Sequence, residues 1–193
     1  MKAVLMSIRP EWCKKILDGE KTVEVRKTRP KLETPFKVYV YCTLAASKEF
    51  KLDDRNWDVS AKNRGDWAKK RGRVIGEFTC NDIDRITPLT SSIPGNLEER
   101  ILGSCLTPQQ VEAYAGLKGR RLIDCRDAYC WHISNFKLYK KPVKLKDFWG
   151  MKPCKHGGDC CTCLQWDNMK EECCASRYIS RPPQSWCYME DEE

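Results

Sequence analysis

The chain has no run approaching the roughly 18 apolar residues that a membrane-spanning helix needs. It has no P-loop, no G-x-G-x-x-G, no H-E-x-x-H and no EF-hand run. Nucleotide-triphosphate hydrolysis, Rossmann cofactors, zincin chemistry and Ca²⁺ sensing therefore have no sequence support. Histidine is nearly missing: of 2 in the chain, only His132 lies outside a cysteine-rich segment. A histidine in a strand is most often a packed or hydrogen-bonded sheet residue, with proton shuttling as the sharper alternative. Internal repeats and low-complexity blocks are absent. The N-terminal stretch lacks the apolar core of an export signal, because Arg9, Glu11, Lys14 and Lys15 come too soon. A cytoplasmic protein with no membrane partner is expected.

What is present fits one folded domain. The 193 residues, 32% charged and 41% apolar, have the balance of a globular chain with a real core. Net charge is +8, unevenly placed: residues 1–75 hold 19 Lys/Arg against 10 Asp/Glu, and the rest is close to balance. A field concentrated in one half points to a polyanionic partner. The alternative is a solvated basic face.

One stretch organises the rest. Pro10 suits the first turn of a helix. Trp12, Cys13, Ile16 and Leu17 form an apolar stripe, and Gly19 stands where a helix stops in a left-handed residue. The period then changes to two. Val23 and Val25 point one way; Thr22, Glu24 and Arg26 point the other, on what reads as an outer, charged face. Same-face neighbours on a strand lie about 6.6 Å apart, so these groups can meet one small ligand. Lys21 stands at the strand entrance.

Further elements follow in order. Ala3–Ile8 is expected as the first strand, Lys37–Thr43 as a strand by its alternation, and Arg73–Cys80 as a strand continuing toward Ile86. Gly76 within it suggests a bulge or a close approach of another backbone. Thr107, Pro108 and Gln110 read as a capped helix start, with a stop at Gly116. Ala128–Phe136 is a strand, followed by a separate basic segment over 140–149. The stretch 181–188 is expected as the last strand. Trp57 and Trp67 lie in a lysine- and arginine-rich field. There cations can take phosphates and rings can stack on bases, although packing is the preferred role for the rings.

The run Gly19-Glu20-Lys21-Thr22-Val23-Glu24-Val25-Arg26 resembles the G-x-K-T-x-E-x-R signature of the ASCH domain. The segment over 140–149 and the Pro182-Pro183-Gln184-Ser185-Trp186 ending resemble later parts of the same family, the ending in its phage-type members. The resemblance implies an α+β fold: a PUA-like mixed β-barrel of five to seven strands with peripheral helices. A single domain would span 1–193, with elaborations at 44–72 and 88–120 and an insert at 153–177. It also implies association with RNA or a modified base or nucleotide, with DNA as a further candidate, in a cleft lined by the run.

Two kinds of chemistry suit that cleft. In a binding site, Lys21 and Arg26 pair with phosphate or a base carbonyl, and Glu24 accepts from an exocyclic amine. Ser7, Thr22 and Tyr39 would stand beside them. In an active site, Lys21 would act as base, or Glu24 would act on a bound water. Members that hydrolyse acetylated cytidine carry a Thr three residues after the Lys; here that position is Glu24. Amidohydrolase or ribonuclease activity is the alternative to binding, and a protein-interaction module is a third. An ordinary same-face ion pair of Glu24 with Arg26 on a barrel strand is the purely structural account.

Cysteine is abundant, at 13 residues. In a reducing compartment a cluster more often means metal than disulfide. Cys154, Cys160, Cys163 and Cys173 are the expected ligands of a structural Zn²⁺; His156, Cys161 and Cys174 are substitutes at similar spacing. An iron–sulfur cluster, a disulfide loop or unliganded thiols are the competing accounts.

Overall fold

The computed structural model describes residues 2–44, 70–118, 125–148, 166–167, 172–173, 179 and 181–190. Trp57, Trp67, Cys154, His156, Cys160, Cys161, Cys163 and Cys174 lie outside them. Cys173 is described only as backbone in a two-residue strand. The expected zinc set therefore falls outside the described residues. Among the described residues no group of three His, Cys, Asp or Glu is placed to hold a metal ion.

The chain order is β1 (Lys2–Ile8), α1 (Pro10–Leu17), β2 (Val23–Arg26), β3 (Phe36–Cys42) and β4 (Arg73–Ile86). There follow α2 (Pro88–Ser91), α3 (Asn96–Arg100), α4 (Pro108–Ala115) and β5 (Ala128–Lys144). A single 3-10 turn (Leu145–Asp147) leads on to β6 (Trp166–Asp167), β7 (Glu172–Cys173) and β8 (Trp186–Glu190). Six strands form one sheet in the order β2-β5-β4-β3-β1-β8, and β6 pairs with β7. The sheet is mixed: β1 runs parallel to β3 and antiparallel to β8, while β2 is antiparallel to β5. Among the described residues the strand order has two ends, β2 and β8. No described helix is long and apolar enough to cross a membrane.

Two boundaries differ from the sequence reading. β5 does not stop at Phe136 but continues to Lys144. Half-buried Phe136 and Leu138 alternate with exposed Asn135 and Lys137, so the two-residue period simply runs on. The last strand begins at Trp186 instead of Arg181, because Pro182 and Pro183 have no N–H to give a ladder. Within the strands Asn135 is left-handed, with φ 51°.

The chain divides into two compact units. The first comprises Met1–Pro10, Val38–Gly76 and Tyr139–Glu193. Its core gathers Ala3, Leu5, Tyr39, Tyr41, Val74 and Met189, with Tyr139 and Phe148 against them. The second comprises Glu11–Lys37 and Glu77–Leu138. Its core gathers Val23 and Val25 of β2, Ile86 of β4, Ala128 and Cys130 of β5, and Leu97, Val111 and Ala115 from the helices. The cap of α4 forms as its sequence predicts: the Thr107 hydroxyl accepts from Gln110 N, and the Gln110 side chain accepts from Thr107 N.

Candidate functional site: a buried charge triad beside an exposed basic turn

The second unit holds the signature run. Gly19, at φ 76°, ends α1 and turns the chain back on itself. Gly19 N donates to Ile16 O (3.1 Å) and Lys21 N to Lys15 O (3.0 Å), satisfying carbonyls that the last helical turn leaves open. Lys15 also binds Glu20 at 3.0 Å, and that hydrogen bond raises its pKa above the ordinary lysine value.

Lys21 is buried, at 2% exposure. An ammonium has three donors, and Lys21 Nζ places acceptors around all of them: Val23 O at 2.8 Å, Ser104 O at 2.7 Å and Glu24 Oε2 at 3.2 Å. It also stands 5.2 Å from the centre of the Trp12 ring. Glu24 uses its second oxygen on Arg26, with Oε1 3.0 Å from an Arg26 guanidinium nitrogen. Glu24 and Arg26 are both under 9% exposed. The predicted alternation is present, but the charged face is not an outer one. In register, Glu24 lies opposite Trp131 and Arg26 opposite Tyr129 on β5. Trp131 is fully buried and meets Phe36 edge-on at 5.7 Å. Charges taken out of water persist only when each is paired, and the Lys21–Glu24–Arg26 triad meets that condition.

A loop that the sequence reading passed over completes the arrangement. Gly103 O accepts from both Thr22 N (2.8 Å) and Val23 N (3.1 Å); Ser104 O takes the Lys21 ammonium; Cys105 Sγ lies 3.4 Å from Glu20 O. Gly103 has φ 80° and Cys105 φ 60°. A Cβ on Gly103 would stand 2.2 Å from Thr22 Oγ1, so only glycine allows this approach. Nothing in Leu102-Gly-Ser-Cys105 marks such a clasp; a glycine between polar and apolar neighbours fits any loop.

Thr22 is exposed at the mouth of this clasp. Beyond Arg26 the chain leaves the sheet, and Lys27 and Arg29 face solvent. Lys27 Nζ stands 5.1 Å from the centre of the Tyr114 ring on α4. Tyr114 is 41% exposed. Arg126 N donates to Gly116 O just past α4, and the Arg126 side chain is exposed. No carboxylate lies within ion-pair distance of Lys27, Arg29 or Arg126 among the described residues.

Ser7 and Tyr39 belong to the first unit. Ser7 is buried and its hydroxyl donates to Pro183 O at 2.6 Å. Tyr39 is buried in that unit's core and meets Phe148 edge-on at 5.1 Å. His132 is half-exposed and hydrogen-bonded through Nε2 to Asp84 at 2.8 Å, with Arg100 3.9 Å from the other carboxylate oxygen.

Residues 6–92 match the family model of the ASCH domain. The chain is similar to the crystal structure of ASCH from Zymomonas mobilis, with TM-score 0.54 and 19% identity over 97% of this chain and 87% of that one. It is likewise similar to two point mutants of that protein. The serine-to-alanine mutant gives TM-score 0.54 at 16% identity, over 97% of this chain and 88% of that one. The tyrosine-to-phenylalanine mutant gives 0.52 at 19%, over 98% and 91%. Identities this low speak for the fold alone. No curated protein matches the sequence.

Proposed function

We propose RNA binding at the surface beside the G-x-K-T-x-E-x-R run, in keeping with the match of residues 6–92 to the ASCH domain, a family associated with RNA. The ligand is RNA or a modified base or nucleotide within it. The observation that carries this reading is the division of charge along the run. Lys21 and Arg26 both pair with Glu24 inside the protein. Lys27 and Arg29, directly after them, face water. Three engaged donors on Lys21 and two engaged oxygens on Glu24 favour a holding role for both. The triad fixes the strand and its exit; the exposed cations after it, with Thr22 before it, offer contacts to phosphate and base.

The test is binding of short RNAs at two salt concentrations by wild type and by Lys27→Ala/Arg29→Ala. Wild type should bind with an affinity that falls steeply with salt, by a log–log slope of about 0.7 for each phosphate neutralised on a single strand. The double variant should lose affinity and show a shallower slope. Failure of the wild type to bind any RNA overturns the reading.

A further inference from the structure

Resting on that reading, we infer that Tyr114 is a stacking platform for an unpaired RNA base, and that Lys27 and Arg126 flank it as phosphate contacts. The site selects single-stranded over double-stranded RNA.

Three observations converge on the end of α4. Tyr114 is an aromatic ring left 41% open on a helix whose Val111 and Ala115 are buried in the core. The helix is anchored at its start by a complete capping box and stopped by Gly116, at φ 76°. The ring is thus carried on a rigid element. The Lys27 ammonium lies over one face of the ring, 5.1 Å from its centre, which leaves the opposite face for a flat group. Arg126 is tied to the same helix end through its backbone N–H on Gly116 O, and its Cγ lies 3.8 Å from where a Gly116 Cβ would be. Its guanidinium therefore starts from beside the helix terminus and extends into solvent.

This is the composition that binds single strands. An aromatic face takes any base, and cations beside it take the flanking phosphates. A duplex keeps its bases stacked within the helix and presents phosphates without free base faces. An aromatic platform therefore discriminates between the two, whereas lysines and arginines alone do not.

The experiment uses the full chain and three probes: a short oligoadenylate, an oligouridylate and an RNA duplex of the same length. Tyr114→Leu preserves helix propensity and apolar area but removes the π face; Tyr114→Phe preserves the face. Wild type should bind oligoadenylate most tightly, because adenine stacks best. Tyr114→Leu should weaken single-strand binding by roughly 5- to 100-fold and leave duplex binding unchanged, while Tyr114→Phe stays near wild type. Lys27→Ala should lower the salt slope by about 0.7 on single strands. A control on exposed lysines of the other unit, Lys140→Ala/Lys144→Ala, should affect all three probes alike or none. Single-strand binding that survives Tyr114→Leu, or a loss equal on single strand and duplex, overturns the platform while RNA binding itself stands. Failure of wild type on every probe overturns the RNA reading and the platform with it.

Discussion

Lys21, Glu24 and Arg26 on one side, and Lys27 and Arg29 on the other, are near neighbours with the same kinds of head group. The first three are buried, with the Glu24 carboxylate shared between the two cations. The last two stand in water without a described carboxylate beside them. The difference arises from the strand. While β2 is paired to β5, its charged side chains share a buried face with Trp131 and Tyr129; once the chain leaves the ladder at Arg26, the side chains of Lys27 and Arg29 are exposed. A charged signature is thus not by itself a contact surface. Here the spacing of its charges serves burial, and the unpatterned basic turn after it serves exposure.

Breaking the triad should have the largest effect. Glu24→Gln keeps the side chain's shape but leaves two buried cations without their anion. Removing one partner of a buried ion pair costs about 3–5 kcal/mol, which for a domain of this size lowers Tm by on the order of 10 °C. Thermal unfolding followed by circular dichroism measures it. A Tm within a degree or so of wild type would mean that the triad is not the buried network described, and the contrast with Lys27 would collapse. By the same argument Lys21→Ala/Arg26→Ala is a folding experiment before it is a binding experiment.

The clasp at Gly103 gives the next largest effect and a way to sharpen the comparison. Gly103→Ala and Gly19→Ala both place a side chain at positive φ, which costs about 1–3 kcal/mol. A Cβ at Gly19 meets nothing within 4 Å, whereas one at Gly103 stands 2.2 Å from Thr22 Oγ1. Gly103→Ala should therefore be the more destabilising of the two, and Thr22→Ala should restore part of the loss. Equal costs would show that the loop does not clasp Thr22 as closely as the geometry requires.

Much of this was legible from the residues, and the part that was not has a common cause. Pro10, Gly19 and the Thr107–Gln110 cap fix local geometry with their own atoms, so α1, its stop and α4 could be read directly. The parity of β2 could be read as well, since alternation is a property of the strand. Which face is buried depends on β5 and its Trp131, far away in sequence, and no local pattern carries that information. The Gly103–Cys105 clasp escaped for the same reason.

Alkaline titration should give a smaller effect, spread over a wide pH range. Burial pushes the thiols of Cys80 and Cys130 up to about 12, from about 8.5 in an unfolded chain. Between those values the native state holds protons that the unfolded state has released, so these groups' contribution is intact below about pH 8.5 and declines as pH rises toward 12. The slope is about 1.4 kcal/mol per pH unit for each thiol. Denaturant unfolding at stepped pH measures it. Cys80→Ala, corrected for its cavity at neutral pH, should flatten the curve. An unchanged slope would mean that water reaches the Cys80 thiol, on the strand next to β5.

The smallest effect on stability is expected where the effect on binding is largest. Lys27→Ala removes an exposed ammonium whose one described contact is the Tyr114 ring, an interaction worth about 0.5–1 kcal/mol at an exposed site. Its Tm should therefore move by at most a few degrees. Arg29→Ala should move it even less, since substitutions at exposed positions away from buried networks usually stay within about 0.5 kcal/mol. RNA affinity in moderate salt should nevertheless fall for both. Paired with Glu24→Gln, these variants separate what the triad and the turn contribute. A turn variant that unfolds, or a triad variant that folds normally but loses RNA, would reverse the assignment. The charged signature would then be the contact surface, and the turn merely part of the frame.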